Sequence, residues 1–334
     1  MGSIYEMISM LGGFAPGVCL VLFLLASILV VWRLEVLSAQ GVEGTVLGTV
    51  FMPFCSGLGN LVFAWVLARD ATVPGNEGLG TDVVVNCLFN NVTNLTLLIG
   101  GPILFWGMTS IPAKKNQKAV REFRVGRLSL ALNLVAAFFF SLVLLALSSD
   151  GEIARMDGVV LLALFVFWQY FHIYDVKKTN LLKKTSYPKT LVLDVILLLF
   201  GAFLIFISTD WLVQWFQSLE NSSLPGGMLG WVSGVLMVLP NALLAVYYGM
   251  RSRMDVVYTS QSGDAHMCIP LCVGVFAVFK GIPTGEFLQQ ALFILMGLCL
   301  VHLFFVTILG RLPRFFAALL IVAFGVFLWT GRGI

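Results

Sequence analysis

Charged residues are scarce in this sequence. Asp, Glu, Lys and Arg make up 11% of the 334 residues, and hydrophobic residues make up 59%. Soluble domains have about 25% charged residues. A chain with so little charge cannot cover a globule with polar surface, which excludes a soluble domain. The formal net charge of +3 is also too small to indicate a nucleic-acid partner.

Several motifs of enzymes and metal sites are missing as well. The six cysteines all fall in apolar stretches, and His266, Cys268 and Cys272 lack the two-residue spacing of a zinc knuckle. A P-loop and a zinc-protease helix are absent too. Only Glu6, and no Lys or Arg, precedes the first apolar run, so we expect it to stay as a membrane span. We expect a polytopic membrane protein without a cofactor.

The apolar runs predict ten membrane-spanning helices. A hydrocarbon core of about 30 Å takes about 20 helical residues. The predicted spans cover approximately residues 14–32, 44–68, 83–108, 127–148, 158–174, 190–209, 225–249, 255–279, 288–309 and 314–331. The fold class is therefore an all-α membrane protein.

The basic residues favour one orientation in the membrane. Of the 20 Lys and Arg residues, 16 follow odd-numbered spans, mostly in the runs at 114–127 and 177–189. Positive charge is retained on the cytoplasmic side during insertion. We therefore expect both termini to be extracytoplasmic. We interpret the two basic runs as topology determinants beside anionic lipid.

Five spans in each half indicate an inverted repeat. An odd number of spans per half makes the second half insert upside down relative to the first, as in many secondary transporters. An offset of 181 positions aligns residues 44–64 with 225–245 and pairs Asn60 with Asn241. We predict a first repeat over 1–174, a basic cytoplasmic linker over 175–189 and a second repeat over 190–334.

A cluster of amides lies inside the third span. Asn86, Asn90 and Asn94 recur every four residues, which places them on one helix face, and Asn91 lies beside them. Such a cluster is explained either by hydrogen bonds between membrane helices or by a polar cavity at the bilayer midplane. Four amides within nine residues favour the cavity.

The second half carries its own polar residues in apolar surroundings. Asn241 follows Pro240, and Gln261, Asp264 and His266 fall in the next span. Ionisable side chains at membrane depth are costly and indicate function. His266 is either a proton relay or a neutral histidine that donates to a neighbouring carbonyl.

Two other acids begin spans near the membrane surface. Asp82 opens the third span and Asp255 opens the eighth. We interpret both as caps of helix N-termini, with a gate or an access path as the alternative.

Four short segments carry a family resemblance. Residues 55–61 read CSGLGNL, residues 85–91 read VNCLFNN, residues 236–241 read LMVLPN and residues 262–265 read SGDA. They resemble the repeat motifs GTSLPE and GNxxGSN of the calcium/cation antiporter superfamily, which includes sodium/calcium and proton/calcium exchangers. The matches cover about seventy residues. Asn60 and Asn241 stand where that family has its two calcium-binding glutamates.

The resemblance implies a secondary active cation antiporter that carries Ca²⁺, Na⁺ or H⁺ by alternating access. Spans 1 and 6 would slide or tilt against a core of spans 2, 3, 7 and 8, and we expect that core to be broken or distorted near Gly57–Asn60 and Leu239–Asn241. The implied ion-binding residues are Asn60, Asn90, Asn91, Asn241 and Asp264, with Asp264, Asn60 and Asn241 as direct metal ligands. Residues implied around them, or in a proton relay, are His266, Asn86, Asn94, Gln261, Ser56 and Ser260. Without the glutamates, the site should bind Ca²⁺ weakly or prefer a monovalent ion.

Two other functions are alternatives to cation transport. A scaffold or sensor that retains the exchanger fold would also lose both glutamates. Tyr174-Asp175 and Gly263-Asp264 faintly resemble the elements of intramembrane aspartyl proteases. However, Asp175 lies beside Lys177 and Lys178 at the membrane edge, so a dyad that shares a proton is disfavoured. The expected partners are inorganic cations and the lipid bilayer.

Overall fold

A computed structural model describes most of the chain. The described residues are 2–39, 57–72, 78–107, 117–180, 190–223, 228–251, 254–264, 267–310 and 312–331. Ser56, His266 and residues 181–189 of the predicted linker lie outside them, as does the side chain of Asp264.

The described chain is almost entirely helical. Its α-helices are α1 Gly2–Ser9, α2 Ala15–Ala39, α3 Leu58–Asp70, α4 Leu79–Leu95, α5 Leu97–Trp106, α6 Gln117–Leu147, α7 Arg155–Asn180, α8 Leu191–Ser223, α9 Met228–Met250, α10 Met254–Asp264, α11 Gly274–Phe279, α12 Glu286–Phe304 and α13 Arg314–Thr330. A 3₁₀ turn covers Gly12–Phe14, and π-helical segments cover Cys268–Val273 and Phe305–Leu309. Two-residue strands β1 (Glu152–Ile153) and β2 (Ile282–Pro283) pair antiparallel and join two loops on one side.

Every predicted span contains a helix. Seven stretches are long and apolar enough to cross a membrane: Gly12–Arg33, Leu79–Trp106, Leu130–Leu147, Leu191–Leu219, Met228–Met250, Val256–Phe279 and Glu286–Leu309. Helix α13 is a shorter apolar helix. Helix α3 forms the described part of the second predicted span, and α7 contains the fifth.

Burial separates a central group of helices from a peripheral pair. In the span Leu79–Trp106, 94% of the apolar window is buried, and in Val256–Phe279 the share is 73%. The share is only 33% in Gly12–Arg33 and in Leu191–Leu219. The third and eighth spans therefore lie at the centre. The first and sixth, which contain α2 and α8, have most of their surface at the periphery.

The helix breaks fall at unexpected positions. We expected a break or distortion near Leu239–Asn241, but α9 continues as a helix through Pro240. Proline removes one backbone hydrogen bond, and membrane helices tolerate this where neighbouring groups satisfy the freed carbonyl. The third span instead changes helix at Thr96, and α10 ends at Asp264 before the π-helical segment.

Glycines bring the central helices α4 and α9 close together. A Cβ atom on Gly230 would lie 2.7 Å from the Asp82 carbonyl oxygen, and one on Gly234 would lie 2.9 Å from Phe89 Cβ. Side chains larger than hydrogen would push the helices apart. This close packing sets the register in which their polar side chains meet.

Gly100 and Gly101 of α5 allow a matched test of a second close contact, that of α5 with α13. A Cβ atom on Gly100 would lie 2.9 Å from the Ala317 carbonyl oxygen, whereas one on Gly101 meets nothing within 4 Å. We expect Gly100→Ala to destabilise the protein by about 1–3 kcal/mol through overpacking. Gly101→Ala should be neutral or stabilising, since alanine favours helix by up to about 1 kcal/mol. Thermal unfolding in detergent measures both variants, and equal melting temperatures would contradict this packing.

Candidate ion-binding site

A small cavity lies between the peripheral helix pair and the central helices. Its volume is about 20 Å³, which holds about one water-sized particle. Asn60 of α3 and Asn241 of α9 line it from the core, and Ser27 of α2 and Ile205 of α8 line it from the periphery. The cavity has room for one dehydrated cation.

The two asparagines reach this cavity from equivalent positions of the two halves. Asn60 lies in the first turn of α3, and Asn241 follows Pro240 in α9. Their side chains are 4% and 7% exposed. The structure therefore brings together the pair that the 181-residue offset predicts. Cys87 and Cys268 are separated by the same 181 residues, and the Cys87 thiol donates to the Cys268 carbonyl at 3.5 Å.

The asparagines of α4 face the second half of the chain. Asn86 Nδ2 donates to Ser233 Oγ at 3.0 Å, and Asn90 Nδ2 donates to Cys268 Sγ at 3.2 Å. Helices α4 and α9 run parallel here, because Asp82 contacts Gly230 and Asn86 contacts Ser233. Both helices rise 1.5 Å per residue, so Asn94 and Asn241 lie at about the same height along them.

Several amide oxygens in this region are buried without a hydrogen-bond partner among the described residues. They are the side-chain oxygens of Asn60, Asn86, Asn90, Asn94 and Gln261. Each unsatisfied buried group costs about 1–3 kcal/mol, so the arrangement is costly unless another species supplies the partner. Amide oxygens are ligands for hard cations. Their concentration in spans 2, 3 and 8 fits a cation path.

Of the remaining predicted site residues, one contacts the asparagine pair. Gln261 is fully buried and its Nε2 donates to the Asn241 carbonyl oxygen at 3.5 Å. Asn91 is fully buried in α4, and Ser260 is half-buried in α10. Asp264 is the last residue of α10. The structure thus connects Gln261 to the asparagine pair and leaves Asn91, Ser260 and Asp264 as predictions.

Acidic clusters are not found in the described part of the chain. No group of three His, Cys, Asp or Glu side chains there is placed to hold a metal ion. Asp82 is buried, and its Oδ1 accepts from the Gly230 N–H at 2.7 Å. It therefore caps α9 of the other half, a position that the helix dipole favours. The side chain of Asp255 is outside the described residues.

Two ion pairs anchor α8, one in its first turn and one near its middle. Arg33 of α2 pairs with Asp194 at 3.2 Å, and Arg69 of α3 pairs with Asp210 at 2.8 Å. The first pair joins the two peripheral helices to each other. The second joins the peripheral pair to the core.

Sequence reasoning missed several polar residues of this region. Ser27 is the one serine of the first predicted span, and Ser233 precedes the predicted motif. Tyr258 and His302 form a buried hydrogen-bonded pair. His302 could have been identified from the sequence, since an ionisable residue within an apolar span indicates a functional site.

The sequence matches a family model, whereas no curated protein sequence matches it. The model described as "Sodium/calcium exchanger protein" matches residues 12–174 and 193–331, which is most of the chain.

Solved structures of the sodium-calcium exchanger NCX_Mj resemble the chain. One, soaked with 2.5 mM Na⁺ and 10 mM Sr²⁺, aligns over 99% of this chain and 100% of that chain, with a TM-score of 0.66 and 16% identity. Another, soaked with 10 mM Na⁺ and 10 mM Sr²⁺, aligns over 96% and 98%, with a TM-score of 0.64 and 18% identity. The predicted fold, ten membrane helices in two inverted five-helix repeats, is confirmed.

Proposed function

This chain belongs to the sodium/calcium exchanger family, and on that premise we propose that it is a secondary active cation antiporter with a midplane site made mainly of neutral amides. The family consists of membrane transporters, not enzymes, which sets aside the aspartyl-protease alternative. The proposal assigns Asn60 and Asn241 to the cation, with Asn90, Asn91 and Asp264 completing its ligands.

One observation carries this proposal. The cavity that Asn60 and Asn241 share is closed on its other side by α2 and α8. These two helices pack on each other, since a Cβ atom on Gly201 would lie 2.6 Å from Val30 Cγ2. If the pair moves as a unit relative to the core, it exposes the cavity first to one side of the membrane and then to the other. That is alternating access at a fixed site.

The chemistry of the proposed ligands limits which cations the site can bind tightly. Ca²⁺ takes about 6–8 oxygen ligands, and its affinity rises with their charge. Both motif glutamates are asparagines here, which leaves Asp264 as the one carboxylate in the proposed set. We expect weak Ca²⁺ binding or a preference for a monovalent cation such as Na⁺. A proton on Asp264 would compete with the cation and couple the two fluxes.

Counter-transport in vesicles tests the proposal. The purified protein is reconstituted, and cation uptake is measured across gradients of Na⁺, K⁺, Ca²⁺, Mg²⁺ and H⁺. We expect uptake of one cation that requires a counter-gradient of another. The absence of flux for every pair, with correctly folded protein, would favour the alternative of a scaffold or sensor.

The two ion pairs of α8 provide a matched test of the moving unit. Asp194→Asn and Asp210→Asn both keep side-chain shape and remove one ion pair, so each should cost about 1 kcal/mol of stability. Only the Asp210 pair crosses from α8 to the core. Asp210→Asn removes an interaction of about 1 kcal/mol between α8 and the core, which should change the transport rate about fivefold. Asp194→Asn should leave the transport rate per folded molecule unchanged. Equal rates for the two variants would argue against motion at this interface.

A further inference from the structure

His302 and Tyr258 form a buried pair that the proposed cation ligands do not include. His302 in α12 is 0% exposed, and Tyr258 in α10 is 2% exposed. The Tyr258 hydroxyl hydrogen-bonds with His302 Nδ1, and His302 Nε2 lies 2.7 Å from the Leu95 carbonyl oxygen. The pair joins helices of the second half to the end of α4 in the first half.

The partners of the imidazole define its protonation. A backbone carbonyl only accepts hydrogen bonds, so Nε2 carries the hydrogen and donates to Leu95. Nδ1 of the neutral ring is then an acceptor, and the Tyr258 hydroxyl is its donor. Both ring nitrogens are used. This arrangement suits a residue that holds other groups in place.

The contact falls beside a proposed site residue. Leu95 ends α4 and α5 begins at Leu97, so the Leu95 carbonyl lies at the junction of the two helices. Asn94, the preceding residue, is fully buried, and neither Nδ2 nor Oδ1 of its amide has a hydrogen-bond partner among the described residues. The π-helical segment Phe305–Leu309 begins three residues after His302, and such segments are frequent at functional sites.

We infer that His302, supported by Tyr258, is a positioning residue that fixes the end of α4 so that the Asn94 amide is held for the cation. This role presupposes the proposed cation antiport. Without the Nε2–H donor, the Leu95 carbonyl loses its hydrogen bond to His302 and the junction of α4 and α5 can shift, which moves Asn94 away from the level of Asn241. The cation would then be bound less tightly, while the steps that move the helices would be preserved.

Three variants test the inference in the full-length protein. His302→Leu removes donor and acceptor, His302→Gln keeps one of each, and Tyr258→Phe removes only the hydroxyl. We expect His302→Leu to raise the KM for the transported cation about tenfold, with a maximal rate per folded molecule within about twofold of wild type. His302→Gln should restore most of the affinity, and Tyr258→Phe should lie between. A merely structural role would lower the amount of folded protein without moving the KM.

Affinity is also measured as thermal stabilisation by NaCl and by CaCl₂, which requires no transport. An absence of cation flux in wild type would overturn the proposed antiport function. Thermal stabilisation of the three variants by NaCl and CaCl₂ would still test the role of His302 in cation binding. The inference is overturned if His302→Leu binds the cation as tightly as wild type, or if His302→Gln is as impaired as His302→Leu. If His302→Leu does not fold, Tyr258→Phe decides, and an unchanged affinity in that variant would count against the inference.

Discussion

Asn60→Asp and Asn241→Glu should each tighten divalent-cation binding by about tenfold or more. Each change adds a carboxylate to the cavity that the two side chains share. Ca²⁺ affinity rises with the number of charged ligands, and a tenfold change corresponds to about 1.4 kcal/mol. Combining both changes should increase Ca²⁺ affinity further and disfavour monovalent cations.

The measurement is Ca²⁺-dependent thermal stabilisation of the purified variants, with Na⁺ as the competing ion. Gln217→Glu is a suitable control, because Gln217 is half-buried in α8 but lies 12 residues after the cavity-lining Ile205, about 18 Å along the helix at 1.5 Å per residue. If all three variants bind Ca²⁺ equally, the added charge acts at long range. The assignment of the cavity as the cation site would then be wrong.

Asp264→Asn should abolish the pH dependence of cation flux while the protein remains folded. Asp264 ends α10, three residues after the buried Gln261. An uncompensated carboxylate at membrane depth is costly, so the group must be protonated or cation-bound. Exchange of a proton for a cation at this carboxyl would couple the two fluxes even without the family's glutamates.

The flux is measured in vesicles between pH 5.5 and 8.5, a window of about three units around neutrality. Gln261→Glu, three residues earlier on α10, is the matched variant, since it adds a titratable carboxyl rather than removing one. It should steepen the pH dependence. Normal transport by Asp264→Asn with an unchanged pH profile would show that the carboxylate is structural.

The spans and the asparagine pair were predictable from sequence for simple physical reasons. Hydrophobic length predicts membrane helices well, because the bilayer excludes unpaired backbone groups. The offset that pairs Asn60 with Asn241 correctly predicted two side chains at one cavity. The boundaries of the two repeats stay a prediction.

Other features depend on tertiary contacts that sequence patterns do not encode. Pro240 suggested a break, yet α9 runs through it, and the change of helix falls at Thr96 instead. Asp82 was predicted to cap a helix N-terminus, and the helix that it caps is α9, through Gly230, 148 residues away. The role of His302 depends on a carbonyl 207 residues earlier in the chain. Periodicity along one helix carries no information about such partners.

The central claim is that a cation binds between Asn60 and Asn241, and equilibrium binding tests it most directly. A ligand that binds only the folded state stabilises it by RT ln(1 + [L]/Kd). We predict that NaCl or CaCl₂ raises the melting temperature of wild type at constant ionic strength, and that Asn60→Leu and Asn241→Leu each lose this shift. Gly101→Ala, where the added Cβ meets nothing within 4 Å, should keep it. Full cation stabilisation in both leucine variants would contradict the claim.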